Sequence, residues 1–202
     1  MVETTAVDPK LRKRNLRTVG LLGALFFLPL AASFYMYYGS GWRPVASTAH
    51  GELYHPVFPL PKADLRDAKG EFAPANVLSE KWALVYVGGG ECNDACKTSL
   101  YFMRQSRLSL NNEMTRVARV FLATSACCNR EFLERDYPGL ISLDASGPEA
   151  ADLIATFPTK DRAQSLYIVD PLGNLVMRYD TRDNPKGLLE DLKKLLKLSH
   201  IG

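Results

Sequence analysis

The feature that most constrains this chain is a run with no charge, residues 18–38, "TVGLLGALFFLPLAASFYMYY". As a helix rising 1.5 Å per residue it spans about 30 Å, the thickness of a bilayer core. Tyr35, Tyr37, Tyr38 and Trp42 lie at its far end, where an aromatic belt belongs. Pro29 falls mid-span, which membrane helices tolerate. Before the run stand Lys10, Arg12, Lys13, Arg14 and Arg17. A basic flank of this kind stays in the cytoplasm or the mitochondrial matrix, and the rest of the chain crosses. Two other readings compete. A cleaved signal peptide has a shorter apolar core and a small-residue exit, whereas this exit is bulky and aromatic. A buried core helix is apolar on one face, whereas this run is apolar all round. The expectation is a single-pass protein of the inner (plasma) membrane, N-terminus cytoplasmic and C-terminal domain on the extracytoplasmic, periplasmic side.

The net charge of +3 comes from that short arm, and without it the chain is close to neutral. No basic face for nucleic acid remains. The organisation predicted is a basic arm (1–17), a transmembrane anchor (18–38), a linker (39–57) and one domain (58–202). Residues 39–65 are rich in proline and small residues and read as irregular linker and edge segment. "DAKGEF" reads as a hairpin turn. "WALVYVG", residues 82–88, is a short apolar run closed by glycine, a buried strand. A helix is expected from Asn93 to about Leu110, with Ala95, Ser99, Leu100, Met103 and Arg107 inward. "VARVFLAT" is a second buried strand, "NREFLERDY" a short helix and "GLISLD" a short strand. Ser146, Pro148 and Glu149 form a capping box with proline at the first helical position. "SLYIVD" and "LVMRYD" flank "PLGN" as a hairpin, and Leu188, Leu189, Leu192, Leu195 and Leu196 make one stripe of a final helix. The order β-α-β-α-β-α-β-β-α predicts an α/β fold with parallel strands early and an antiparallel edge late. It fits a thioredoxin-like sandwich among several alternatives.

Chemistry concentrates in four cysteines, Cys92, Cys96, Cys127 and Cys128, all in the domain expected outside the cytoplasm, where disulfides persist. Cys92 and Cys96 follow a strand and three glycines, at the start of a helix. Residues four apart share a helix face. A helix N-terminus favours negative charge and lowers a thiol's pKa. Such a pair is built as a reactive dithiol, and equally offers two soft donors to Cu(I). A structural disulfide and two unpaired buried thiols are the bland alternatives. Cys127 and Cys128 follow a predicted parallel strand, so they belong at the same sheet edge. There, one of them could act as an extra ligand or a resolving thiol; a local structural role is the alternative. A four-cysteine zinc site is disfavoured, because adjacent cysteines cannot copy C-x₂-C geometry. His50, His55 and His200 read as solvated side chains. No Ser-His-Asp set, P-loop, dinucleotide fingerprint or haem signature is present.

Taken together, "PLPKADLRDAKGEF", "WALVYVGGGECNDACKTSL" and "DRAQSLYIVDPLGNLVMRYD" resemble the SCO/SenC family over about Phe58 to Leu198. The resemblance implies a thioredoxin-like domain on a single N-terminal anchor, acting in cytochrome c oxidase assembly and handling copper. It also implies an oxidase's copper-containing subunit, or another assembly factor, as partner. In the family two cysteines and a distant histidine bind copper; Cys92 and Cys96 match the cysteines. The histidine position falls on Arg162, which stays protonated and cannot ligate a metal. Asn93 and Lys97 stand where prolines usually follow the cysteines, and Cys127-Cys128 where an Asp-Pro is common. Three consequences are open. Copper is held by the Cys92 and Cys96 thiolates alone; Cys127 or Cys128 supplies a third ligand; or the domain is a dithiol reductant, with Arg162 as a positive charge near the thiolate. In the last case Cys92 is expected to be the more exposed, attacking thiolate and Cys96 its resolving partner. Two other classes compete: a general extracytoplasmic thiol-disulfide oxidoreductase, and a non-catalytic thioredoxin-fold binding module. Typical oxidoreductases carry C-x-x-C and a proline directly before a late strand, and this chain has neither.

Overall fold

The computed structural model describes residues 9–39, 49–128, 130–199 and 201. The expectations for Trp42, His200 and residues 40–48 of the linker lie outside the described residues. The chain forms two compact units, residues 1–47 and 48–202.

In the first unit, helix α1 runs from Pro9 to Phe34 and continues as a π-helical turn, Tyr35–Gly39. The basic residues 10–17 and the apolar run therefore share one helix, tied near their junction by the Thr18 hydroxyl donating to the Arg14 carbonyl at 3.0 Å. The segment Arg12–Tyr38 is long and apolar enough to cross a membrane. It fits a single-pass anchor, and Leu21, Leu25, Phe26 and Phe27 are exposed as lipid-facing side chains would be.

The second unit is a seven-stranded mixed sheet covered on both faces. Its strands are β1 (Glu52–Pro59), β2 (Arg66–Asp67), β3 (Trp82–Gly88), β4 (Val117–Ala123), β5 (Ile141–Asp144), β6 (Ser165–Val169) and β7 (Asn174–Asp180), in spatial order β1-β7-β6-β3-β4-β5-β2. β3, β4 and β5 are parallel; β6, β7, β1 and β2 pair antiparallel. β3 is central and buried along Trp82–Val87, which is why it reads as a continuous apolar run. Alternation along it separates two cores. Leu84 and Tyr86 face one layer with helices α2 (Asp94–Leu108) and α5 (Pro185–Leu198), whereas Ala83, Val85 and Val87 face Leu153 and Phe157 of the opposite layer. α5 seats Leu188, Leu192 and Leu196 on the first layer. The opposite layer is closed by α4 (Ala151–Thr156) and the segment carrying Leu65 and Val77.

The hairpin readings hold. Asp67 N–H donates to Glu71 O across a turn with Gly70 at φ +81°. In "PLGN", Asp170 Oδ1 accepts from the N–H groups of Leu172 and Asn174, and Gly173 sits at φ +85°.

Two expectations are corrected. The segment read as linker, 39–57, ends in a strand, since β1 begins at Glu52 and pairs with β7. Its prolines are compatible because β1 is an edge strand with a register shift between Leu53 and Phe58, where Pro56 owes the ladder no N–H. The sheet domain therefore starts before residue 58. Asp191 of α5 secures this entry, its Oδ2 accepting from the N–H groups of His50 (2.7 Å) and Gly51 (2.9 Å). The capping box at Ser146 also fails to form. Asp144 Oδ1 takes both the Ser146 hydroxyl (2.7 Å) and its N–H (2.9 Å), so the helix enters through a 3₁₀ turn, Pro148–Ala150, capped by Gly147 without a side-chain bond.

Candidate dithiol centre

The site is built where β3 and β4 end. Their parallel register, Gly88 opposite Ala123, brings both following loops to one edge of the sheet. Thr124 N–H donates to Gly88 O at 2.8 Å, and Gly90 N–H to Ser125 Oγ at 3.0 Å. Ser125 Oγ in turn donates to Glu91 Oε2 at 3.2 Å. The first loop then tightens. Cys92 N–H reaches Gly89 O at 3.2 Å, and Cys92 itself adopts φ +51°, a left-handed conformation uncommon away from glycine. Asn93 caps α2, its Oδ1 accepting from Cys96 N–H at 3.1 Å. Asn93 thus does work a proline at this position could not. The Tyr137 hydroxyl donates to Lys97 O at 3.1 Å and ties the first turn of α2 to the loop after α3 (Arg130–Asp136).

Cys92 and Cys96 are joined as a disulfide across the Asn93 cap, with 5.0 Å between Cα atoms. Cys127 and Cys128 are joined to each other, so among the described residues no cysteine is free. The exposure expected of Cys92 is not found in the closed disulfide: Cys92 is 3% and Cys96 1% exposed. The reason is packing. Cys96 lies on the α2 face that carries Ser99, Leu100 and Met103 inward, and Cys92, in the loop before the helix, packs into the same layer with Tyr86 and Phe121. Cys127 and Cys128 are half-buried and pack against the same layer.

Arg162 is corrected too. Its guanidinium is taken up by main-chain carbonyls. Its Nη2 donates to Phe157 O (2.5 Å) and Ile154 O (3.3 Å), and its Nε to Pro158 O (3.2 Å). It caps the carbonyl end of α4, on the opposite layer of the sheet. The two described histidines also lie elsewhere: His50 Nε2 meets Glu190 Oε2 at 2.9 Å, and His55 is exposed in β1. Among the described residues no group of three or more His, Cys, Asp or Glu side chains could hold a metal ion.

Sequence reasoning missed Tyr86. It sits in the site's layer, its hydroxyl donating to Ala163 O at 3.2 Å, and its ring lies 5.6 Å from that of Phe121. Burial, then the nearby Glu91 charge, pushes its phenol up to about 12. The signal available was a polar-tipped residue at an inward position of an apolar strand, which requires a buried partner for its hydroxyl.

The family model for the C-terminal domain of transmembrane-like, thioredoxin-like proteins matches residues 82–199. The chain belongs to this transmembrane-like, thioredoxin-like family. A curated relative, the SCO2-like protein of Rickettsia conorii, is 23% identical over 150 residues, 64% of this chain and 73% of the relative. The solved structure of yeast Sco1 with copper bound superimposes with a TM-score of 0.61 at 18% identity, covering 70% of this chain and 94% of that one. That of BsSco superimposes with a TM-score of 0.53 at 14% identity, covering 74% and 98%. BsSco is a member of the Sco family of cytochrome c oxidase assembly proteins in which a disulfide switch has been identified. The fold is thus the thioredoxin-like sandwich of the Sco proteins, as the resemblance implies.

Proposed function

We propose that this protein is a membrane-anchored, Sco-like assembly factor for a respiratory cytochrome c oxidase, working through Cys92 and Cys96 as a dithiol reductant. The observation that carries this reading is the closed Cys92–Cys96 disulfide at the capped N-terminus of α2, with Arg162 turned away to the other layer. The N-terminal helix anchors it in the inner membrane, and the basic arm keeps the N-terminus cytoplasmic. Reduced, the Cys92 thiolate attacks one sulfur of a partner's disulfide, and Cys96 then attacks Cys92 Sγ. The partner leaves as a dithiol and the Cys92–Cys96 bond closes as observed. The copper-site cysteines of an oxidase subunit are the substrate this chemistry fits. Copper is a second cargo: once reduced, the two thiolates are a soft, low-coordinate donor set suited to Cu(I). For a general oxidoreductase, the residue before β6 should be proline, and it is Gln164.

The test is equilibration of the full-length protein in detergent against dithiol redox buffers, with Cys92→Ser as control. Failure of the dithiol buffers to open Cys92–Cys96 at any poise would mark it as an inert structural bridge and end the reductant reading. Anaerobic competition for Cu(I) with the reduced protein decides the cargo. Wild type should compete and Cys92→Ser and Cys96→Ser should not.

A further inference from the structure

The reductant reading leaves a difficulty that the structure itself resolves. A partner's thiolate must reach a sulfur in line, yet Cys92 and Cys96 are 3% and 1% exposed. The second cysteine pair lies against the same layer and is only half-buried. It follows three exposed residues, Thr124, Ser125 and Ala126. The two loops are bound to each other. Gly90 N–H donates to Ser125 Oγ, and a Cβ on Gly90 would stand 2.9 Å from the Cys127 Cα. Cys127 therefore crosses the loop that carries Cys92 at van der Waals distance, two residues before Cys92.

We propose that Cys127 and Cys128 form a second redox couple, the outer port through which an extracytoplasmic protein dithiol reduces the buried Cys92–Cys96 bond. The proposal rests on the reductant reading above and supplies its electron source. The external dithiol, two thiols on one protein, first reduces Cys127–Cys128 and is itself closed to a disulfide. The Cys127 thiolate then attacks Cys92 Sγ, breaking the Cys92–Cys96 bond and releasing the Cys96 thiolate. The Cys128 thiolate attacks Cys127 Sγ, breaking the Cys92–Cys127 mixed disulfide and releasing the Cys92 thiolate. Cys127–Cys128 is restored, and two electrons and two protons have passed from the external dithiol to Cys92 and Cys96. The attacking Cys127 and the attacked Cys92 lie on two loops already in contact, so the exchange is intramolecular and gains the advantage of proximity.

The test uses the full-length oxidised protein in detergent micelles with reduced thioredoxin as the protein dithiol. The reaction is quenched by alkylation and the cysteines mapped by peptide mass. In wild type, label should appear on Cys127 and Cys128 before Cys92 and Cys96. In Cys127→Ser/Cys128→Ser, reduction of Cys92–Cys96 should slow at least tenfold. Cys96→Ser/Cys128→Ser should accumulate the Cys92–Cys127 mixed disulfide. Simultaneous or reversed labelling in wild type overturns the relay without relying on any variant's folding, and so does an unchanged rate in the folded double variant. Failure of the underlying reading has a separate signature: dithiothreitol, which is small enough to need no port, would also leave Cys92–Cys96 oxidised.

Discussion

Gly90 lies where the backbone of Cys127 crosses it, and there is no room between them for a side chain. A Cβ on Gly90 would stand 2.7 Å from the Ala126 carbonyl carbon and 2.9 Å from the Cys127 Cα, both main-chain atoms that cannot swing aside. Gly90→Ala should therefore push the two cysteine loops apart and cost about 1–3 kcal/mol, the usual penalty of overpacking. Urea denaturation of the domain measures it, and a midpoint unchanged from wild type would contradict the contact.

Arg162 occupies the position that the family resemblance assigns to a copper-binding histidine, and the structure directs it elsewhere. Arg162→His should not improve Cu(I) binding, because residue 162 serves the carbonyls of Ile154, Phe157 and Pro158 on the opposite layer. Loss of those bonds to a charged donor should lower stability by about 1–3 kcal/mol. A tenfold or greater gain in Cu(I) affinity in a competition titration would overturn this placement.

Tyr86 predicts an alkaline limb in the stability curve. Its folded pKa is about 12, above the ordinary 10.0. Between those values the unfolded chain releases the phenolic proton while the folded one keeps it. Stability therefore falls as pH rises through that window. Tyr86→Phe should make this dependence shallower, with Tyr54 and the other buried tyrosines keeping the remainder, while at neutral pH it should cost about 1 kcal/mol for the lost bond to Ala163 O. Thermal melts of both proteins between pH 8 and 12 provide the check.

Arg119 is buried in β4 with its Nη2 on Pro138 O at 2.6 Å and its Nε and Nη1 without hydrogen-bond partners. Desolvation, then the charges of Arg107 and Arg104, pushes its pKa down. A cation held this way destabilises the fold. Arg119→Met, which keeps much of the side-chain volume, should be neutral or stabilising by about 1 kcal/mol. A drop in melting temperature of several degrees would show that the guanidinium supports the fold.

What the sequence determined by itself was whatever depends on neighbouring residues. Trp82–Gly88 appeared as a strand because six buried residues run unbroken to a glycine. "PLGN" announced its hairpin because Asp170 and Gly173 meet the turn's needs locally. The strand, the glycines and the four-residue spacing placed Cys92 and Cys96 together at the start of a helix, although Cys92 itself stays in the loop before the Asn93 cap. The apolar run at residues 18–38 declared its length for the same reason. Only the tertiary structure decided the rest. β1 hid among prolines because its strand character comes from pairing with β7, more than a hundred residues away. Ser146 lost its capping role to Asp144, whose carboxylate competes for the hydroxyl. Arg162 could not reveal its direction, since a long side chain goes where carbonyls lack donors. Nor could the cysteines reveal which pair is buried and which half-open. Periodicity and spacing are properties of the local chain. Burial, by contrast, is the sum of contacts between segments far apart in sequence, and here it separates the two sulfur pairs.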